Sequence, residues 1–196
     1  DRHDLPGVGE NLQDHPYLVG VWNSLIGETL ADAETVANIA RWVLKKEGPF
    51  TTSVAEAFAF VRTRPGLPAA DIQFHFAPAY FVEHGFDTSY TDHAVTFGPT
   101  LVSPKSRGRL WLRSANPLDK PAILTNTLAE PDDVASLVAG IKMARELAAT
   151  EPMKSALGPE LFPGSGVESD DDLVADLRRR VEPVSYTHLT LPTILL

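Results

Sequence analysis

The 196-residue chain contains no cysteine. That absence excludes disulfides, thiolate zinc centres, iron–sulfur clusters and cysteine nucleophiles together. It also lacks an uninterrupted apolar run of about 20 residues, the length a membrane-spanning helix needs. No apolar stretch follows the polar start Asp1-Arg2-His3-Asp4, so no secretory leader is expected; the compartment of the parent protein is not readable from this piece, with the cytoplasm favoured. The first residue is not Met, and the chain is expected to be an internal piece of a longer one. Basic residues are in deficit: 17 Lys and Arg against 26 Asp and Glu leave a net charge of −9. Nucleic-acid and anionic-membrane surfaces carry clustered Lys and Arg, so the balance argues against both partners. Several chemical signatures are missing as well. There is no P-loop, no His-Glu-x-x-His and no Gly-x-Ser-x-Gly. Gly7-x-Gly9 lacks the third glycine and the strand–turn–helix setting of a dinucleotide fingerprint, and reads as a tight turn.

What is present is globular: 43% apolar and 22% charged residues, enough for a sizeable core in a chain of this length. Residues 4–16 are rich in turn formers and read as an ordered loop, followed by a strand over Tyr17 to Trp22. The spacing of Val36, Ile39, Ala40, Val43 and Leu44 predicts a helix over 31–47 with one apolar stripe, closed by Gly48-Pro49. Strands are predicted over 57–63, 71–77, 94–102, 109–113 and 122–125. Pro131 starts a second helix reaching Thr150, with Val134, Leu137, Val138, Ile141, Ala144 and Ala148 on its buried side. Ser169 caps a third, with Asp172 three residues on as a short-armed capping-box partner. The elements do not follow a repeating βαβ rhythm. An α+β fold is therefore expected, with an antiparallel or mixed β-sheet flanked by α-helices. From Pro183 to Leu196 no formally charged residue occurs, and the run is strand-prone.

Few residues carry candidate chemistry. His84 and His93, with Asp87 and Asp92 between them, have metal-ligand types, but a solvated loop accounts for them, and no metal is expected. The turn Lys105-Ser106-Arg107-Gly108-Arg109 is locally basic and reads as a solvated connection between strands. His75 and Gln73 share the polar side of an aromatic strand and are candidates to line a cavity. Glu56 stands between alanines at the mouth of an apolar strand, where a carboxylate calls for a partner such as a cationic or hydroxyl-bearing ligand. These residues make no complete catalytic set.

Three segments in order resemble the glucose-methanol-choline (GMC) oxidoreductases. They are Asp4-Leu5-Pro6-Gly7-Val8-Gly9-Glu10-Asn11-Leu12-Gln13-Asp14-His15-Pro16; Gly48-Pro49-Phe50-Thr51 leading through Ala55-Glu56-Ala57-Phe58-Ala59-Phe60-Val61-Arg62-Thr63 to Asp71-Ile72-Gln73-Phe74-His75-Phe76; and Ser103-Pro104-Lys105-Ser106-Arg107-Gly108-Arg109 with the stretch to Pro117. The resemblance implies the substrate-binding domain of an FAD-dependent enzyme that oxidises a primary alcohol, choline-like or other, with the FAD domain largely missing. It implies that residues 1–20 are a loop from that FAD-binding domain, that 21–183 are the substrate-binding domain, and that 184–196 are a foreign tail. It places Glu56, Gln73 and His75 at the substrate and Asn11, Asp14 and His15 at the cofactor. The family's catalytic-histidine motif does not follow Pro183, so His188 inherits no catalytic role, and the chain alone is expected to be inactive. A stand-alone small-ligand module and a non-redox, lyase-like member of the fold are the alternatives. The electron acceptor and the oligomeric state are not readable from the residues.

Overall fold

The computed structural model describes residues 5–82 and 89–183. Period-two alternation builds its main sheet. In β4 (Ile72–Ala77) and β5 (Ala94–Leu101) the large apolar residues Ile72, Phe74, Phe76, Phe97 and Leu101 fall on one face and are joined in a single core. Five strands run side by side in the order β3 (Ala57–Val61), β4, β5, β1 (Pro16–Tyr17) and β9 (Glu182–Pro183). β2 (Gly20–Ser24) pairs with β5 and with β8 (Leu157–Phe162), and every one of these pairings is antiparallel. The fold is α+β, as the absence of a βαβ rhythm implies.

Helix α2 (Pro131–Ala148) covers the apolar face. Leu137, Ile141 and Ala144 are fully buried, and the predicted stripe is the buried one. Gly140 permits the close approach, since a Cβ there would meet Pro99 Cβ at 2.8 Å. Helix α4 (Asp170–Arg180) joins the same core through Leu173 and Leu177. Its N-terminus carries the capping box expected of Ser169 and Asp172, with three Asp in the first turn and three Arg in the last. A short helix α3 (Met153–Ala156) leads into β8.

Buried carboxylates fasten the connecting loops to α2. Asp71 accepts from Thr63 N–H at 2.8 Å, Thr63 Oγ1 at 2.6 Å and Ser136 Oγ at 2.9 Å. Burial alone would raise this carboxyl, but the bonds from Thr63 and Ser136 outweigh it and hold the group below the usual carboxylate range. Asp133 accepts from Lys105 N–H, Ser106 N–H and Ser106 Oγ, and so shapes the basic turn. That turn leads to a separate hairpin of β6 (Arg109–Trp111) and β7 (Ala122–Leu124). The hairpin hangs from the N-terminal loop by Leu12–Gly108 bonds of 2.9 Å and by Leu110 N–H to the Gly9 carbonyl at 2.7 Å. Gly9, at φ +89°, has no room for a side chain, because a Cβ would stand 2.0 Å from the Leu110 carbonyl oxygen.

The first helix departs from expectation. A 3-10 turn over Leu30–Asp32 replaces its start, and α1 spans Val36–Lys45. Its stripe of Val36, Ile39, Ala40, Val43 and Leu44 faces solvent rather than the core. β1, β8 and β9 go unpredicted as separate strands. Two of them are two residues long, and β8 contains Gly158 and Pro159 and is held only by an irregular register against β2. The tail 184–196, with His188, and the residues His84 and Asp87 lie outside the described residues. Among the described residues no helix is long and apolar enough to cross a membrane.

Candidate functional site

The face of the sheet turned away from α2 mixes polar, aromatic and aliphatic side chains. One rung crosses all five strands: Phe60, Gln73, Thr100, Tyr17 and Glu182 are successive register partners. Phe58, His75 and Gly98 lie two residues along from its β3–β5 members. A Cβ on Gly98 would be 3.5 Å from the Tyr17 ring and 3.8 Å from His75 Cβ, so the phenol lies across Gly98 beside His75. The Tyr17 hydroxyl donates to Glu182 Oε2 at 3.4 Å. Burial, reinforced by the Glu182 charge, pushes the phenol above its ordinary value and keeps it protonated.

Part of this face is covered. Tyr80, Phe81, Val82 and Tyr90 pack on Tyr17, Val19, Val21 and Phe162, and Thr96 ties that segment down through Ala79 O and Phe81 N–H. The edge formed by β3 and β4 remains open. There Phe58 and Phe60, 69% and 56% exposed, pack edge to face at 6.1 Å. Beside them, His75 Nε2 and Thr100 Oγ1 are buried without a hydrogen-bond partner, the two such side-chain atoms among the described residues. Burial lowers the His75 pKa, so the imidazole is neutral at pH 7. Unmade bonds of this kind are costly in a native protein.

The structure therefore brings Gln73 and His75 together on one face. Glu56 is at the head of the neighbouring strand and exposed. Its N–H donates to the Phe76 carbonyl at 3.0 Å, just ahead of the β3–β4 ladder that begins at the Ala57–Phe76 pair. Asn11 has φ +59° and is exposed, and Asp14 Oδ1 accepts from His15 N–H at 2.8 Å. His15 and Gln13 line a cleft of about 560 Å³ with Val102, Ser103, Lys105 and Arg107. A second cavity, of about 360 Å³, lies at the Tyr17–Glu182 end of the rung and is walled by Val19, Val82, Phe162 and Arg180. Arg180 stacks on Phe162 at 5.2 Å and is held by Asp176. His93 is engaged by Thr29 Oγ1 at 2.8 Å and Asp32 at 3.5 Å. Tyr17, Gly98, Thr100 and Glu182 escape the sequence reading, because cross-strand register leaves no mark in any one segment.

Residues 104–190 match the GMC oxidoreductase family model. Those residues carry the C-terminal domain of the GMC oxidoreductases. It is similar to an alcohol dehydrogenase [acceptor] of Pseudomonas putida, 38% identical over 94% of this chain and 34% of that protein. It is also similar to an oxygen-dependent choline dehydrogenase of Photobacterium profundum, 35% identical over 96% of this chain and 34% of that protein. In fold it resembles a formate oxidase of Aspergillus oryzae studied for its FAD modification. The TM-score is 0.76 at 22% identity, over 90% of this chain and 36% of that one. The chain thus spans about a third of the length of the curated relatives it matches. The family match runs from the basic turn through the hairpin, α2 and α4, whereas most of the polar rung lies before it.

Proposed function

We propose that this chain forms the substrate side of an FAD-dependent oxidoreductase that converts a primary alcohol, choline-like or other, to an aldehyde. The observation that carries the reading is the half-open sheet face, on which His75 Nε2 and Thr100 Oγ1 are buried and unpartnered. Its aromatic and neutral polar lining fits a planar, uncharged ring system laid against it. FAD, when bound, supplies the acceptor for the hydride leaving the alcohol carbon. Gln73 and His75 bind and orient the substrate side of that space, and the neutral imidazole offers a hydrogen bond without charge. Glu56 presents a carboxylate to a cationic head group. Tyr17 stays protonated and fixes the rung through Glu182. Asn11, Asp14 and His15, on the loop within residues 1–20, serve the cofactor, with Gln13, Lys105 and Arg107 around His15 suiting its phosphate-bearing part. The base that takes the hydroxyl proton is not assigned to any residue of this chain.

The test has two arms. The purified chain is expected to retain no flavin absorbance and to give no alcohol-dependent bleaching. Residues 16–183 grafted over the matching segment of the Pseudomonas putida alcohol dehydrogenase are expected to restore anaerobic bleaching by a primary alcohol. Gln73→Ala in that graft should raise KM by about tenfold, in line with a lost hydrogen bond of about 1.4 kcal/mol. A graft that folds and holds flavin but is not bleached by any primary alcohol overturns the proposal. Saturable binding of choline or simple alcohols to the chain without flavin favours the stand-alone module instead.

A further inference from the structure

His75 Nε2 and Thr100 Oγ1 are sealed within the described chain and make no hydrogen bond, not even to each other. Thr100 as a whole is 1% exposed. Sealed in this way, neither atom can meet a substrate directly, and both are costly unless something small completes them. Their placement sets the size. Gln73 is the register partner of Thr100 and Gly98 that of His75, so His75 and Thr100 are diagonal neighbours on one face of β4 and β5. Such neighbours stand about 7–8 Å apart, a gap that the imidazole partly spans. Gly98, opposite His75 and two residues before Thr100, puts no side chain into it. A Cβ there would stand 3.5 Å from the Tyr17 ring and 3.8 Å from His75 Cβ, ordinary contact distances, so a group the size of a methyl fits.

We propose that one water molecule is held over Gly98 and bridges His75 Nε2 to Thr100 Oγ1. Two polar partners are the fewest that keep a buried water. The threonine hydroxyl and the water each donate and accept, so the bridge completes either tautomer of the imidazole. Burial keeps His75 neutral, which leaves Nε2 one bond to make. The purpose of the bridge rests on the substrate reading proposed above. With Nε2 anchored, the ring is fixed, and Nδ1, which is not sealed, serves the alcohol side. Thr100 is then a positioning residue that acts through water. The site itself lies wholly within this chain and needs no flavin, so its failure and the failure of the substrate reading are separate results.

The experiment is magnetisation transfer from water in the labelled full chain, joined to urea unfolding. A long-lived water gives a cross-peak at the Thr100 methyl. Thr100→Val should erase the transfer by removing a partner, and Gly98→Ala by filling the place of the water. Gly98→Ala keeps the hydroxyl, so a peak relayed by hydroxyl exchange would survive it. Each substitution should lower the urea midpoint by about 0.5 M. Over a dry gap both would raise it, Thr100→Val by deleting an unpaired hydroxyl and Gly98→Ala by restricting the unfolded chain. In the Thr100→Val background Gly98→Ala should turn stabilising, which a steric cost would not do. Thr100→Ser should keep the native ring-nitrogen shifts of His75, while Thr100→Val moves them. A cross-peak that survives Gly98→Ala, or a midpoint raised by either single substitution, overturns the proposal.

Discussion

Replacing Asp71 tests whether one carboxylate holds the 63–71 loop against α2. Asp71→Ala deletes the acceptor of three hydrogen bonds. Bonds to a charged acceptor contribute about 1.5–3 kcal/mol each. Thr63 is only half-buried, so water takes over much of what its two donors lose. Ser136 is buried, and the Arg64 guanidinium at 3.4 Å already donates to its oxygen, so its hydroxyl proton is left without an acceptor. One bond lost in full and two in part amount to about 2–4 kcal/mol. Asp71→Asn keeps the acceptor for Thr63 N–H and the volume, and should cost about 1–2 kcal/mol. Urea unfolding at pH 7 measures both. The pH dependence follows from the depressed carboxyl: its contribution is complete above the unfolded pKa of about 3.9 and is lost as pH falls through the lower folded value. Acidification from about pH 6 to about pH 3 should therefore destabilise the native chain more than the Asp71→Asn variant. An Asp71→Ala variant within about 0.5 kcal/mol of the native chain, with the same denaturant slope, would refute the reasoning.

Three further outcomes are expected. Gly9→Ala should free the β6–β7 hairpin, raising amide exchange across residues 109–124 at least about tenfold while α2 stays protected. Gly66→Ala, at φ +84° but with open space around it, should cost only about 1–2 kcal/mol of backbone strain. Tyr17 should remain protonated at about pH 11, where ordinary phenols have ionised, so Tyr17→Phe should leave the absorbance step at 295 nm unchanged.

The long periodic elements were legible before any coordinates. The α2 stripe from Val134 to Ala148 and the Ser169–Asp172 cap are local patterns, and they stand where the residues put them. Alternation in 72–77 placed Gln73 and His75 on one side of β4, and the structure keeps them there. The α1 stripe was equally legible as a helix, but periodicity reports that a face is apolar and not what covers it. The partners of His75 were beyond reach for another reason. Tyr17, Gly98 and Thr100 come from strands whose meeting depends on register, and a slip of one residue would turn each to the opposite face.

The five-strand rung also has a consequence for the order of folding. Its members come from positions 17, 60, 73, 100 and 182, and the Tyr17–Glu182 bond spans 165 residues. Contacts of such separation carry a large loop-closure cost and form late, after the local hairpin β3–β4 and the helices. During synthesis β1 emerges early and waits, its outer edge unpaired, until the final described strand arrives. This face of the sheet is therefore finished only when nearly the whole described chain has been made. A prematurely stopped chain leaves Tyr17 without its acceptor and β1 without its second neighbour, an edge that quality-control chaperones can recognise.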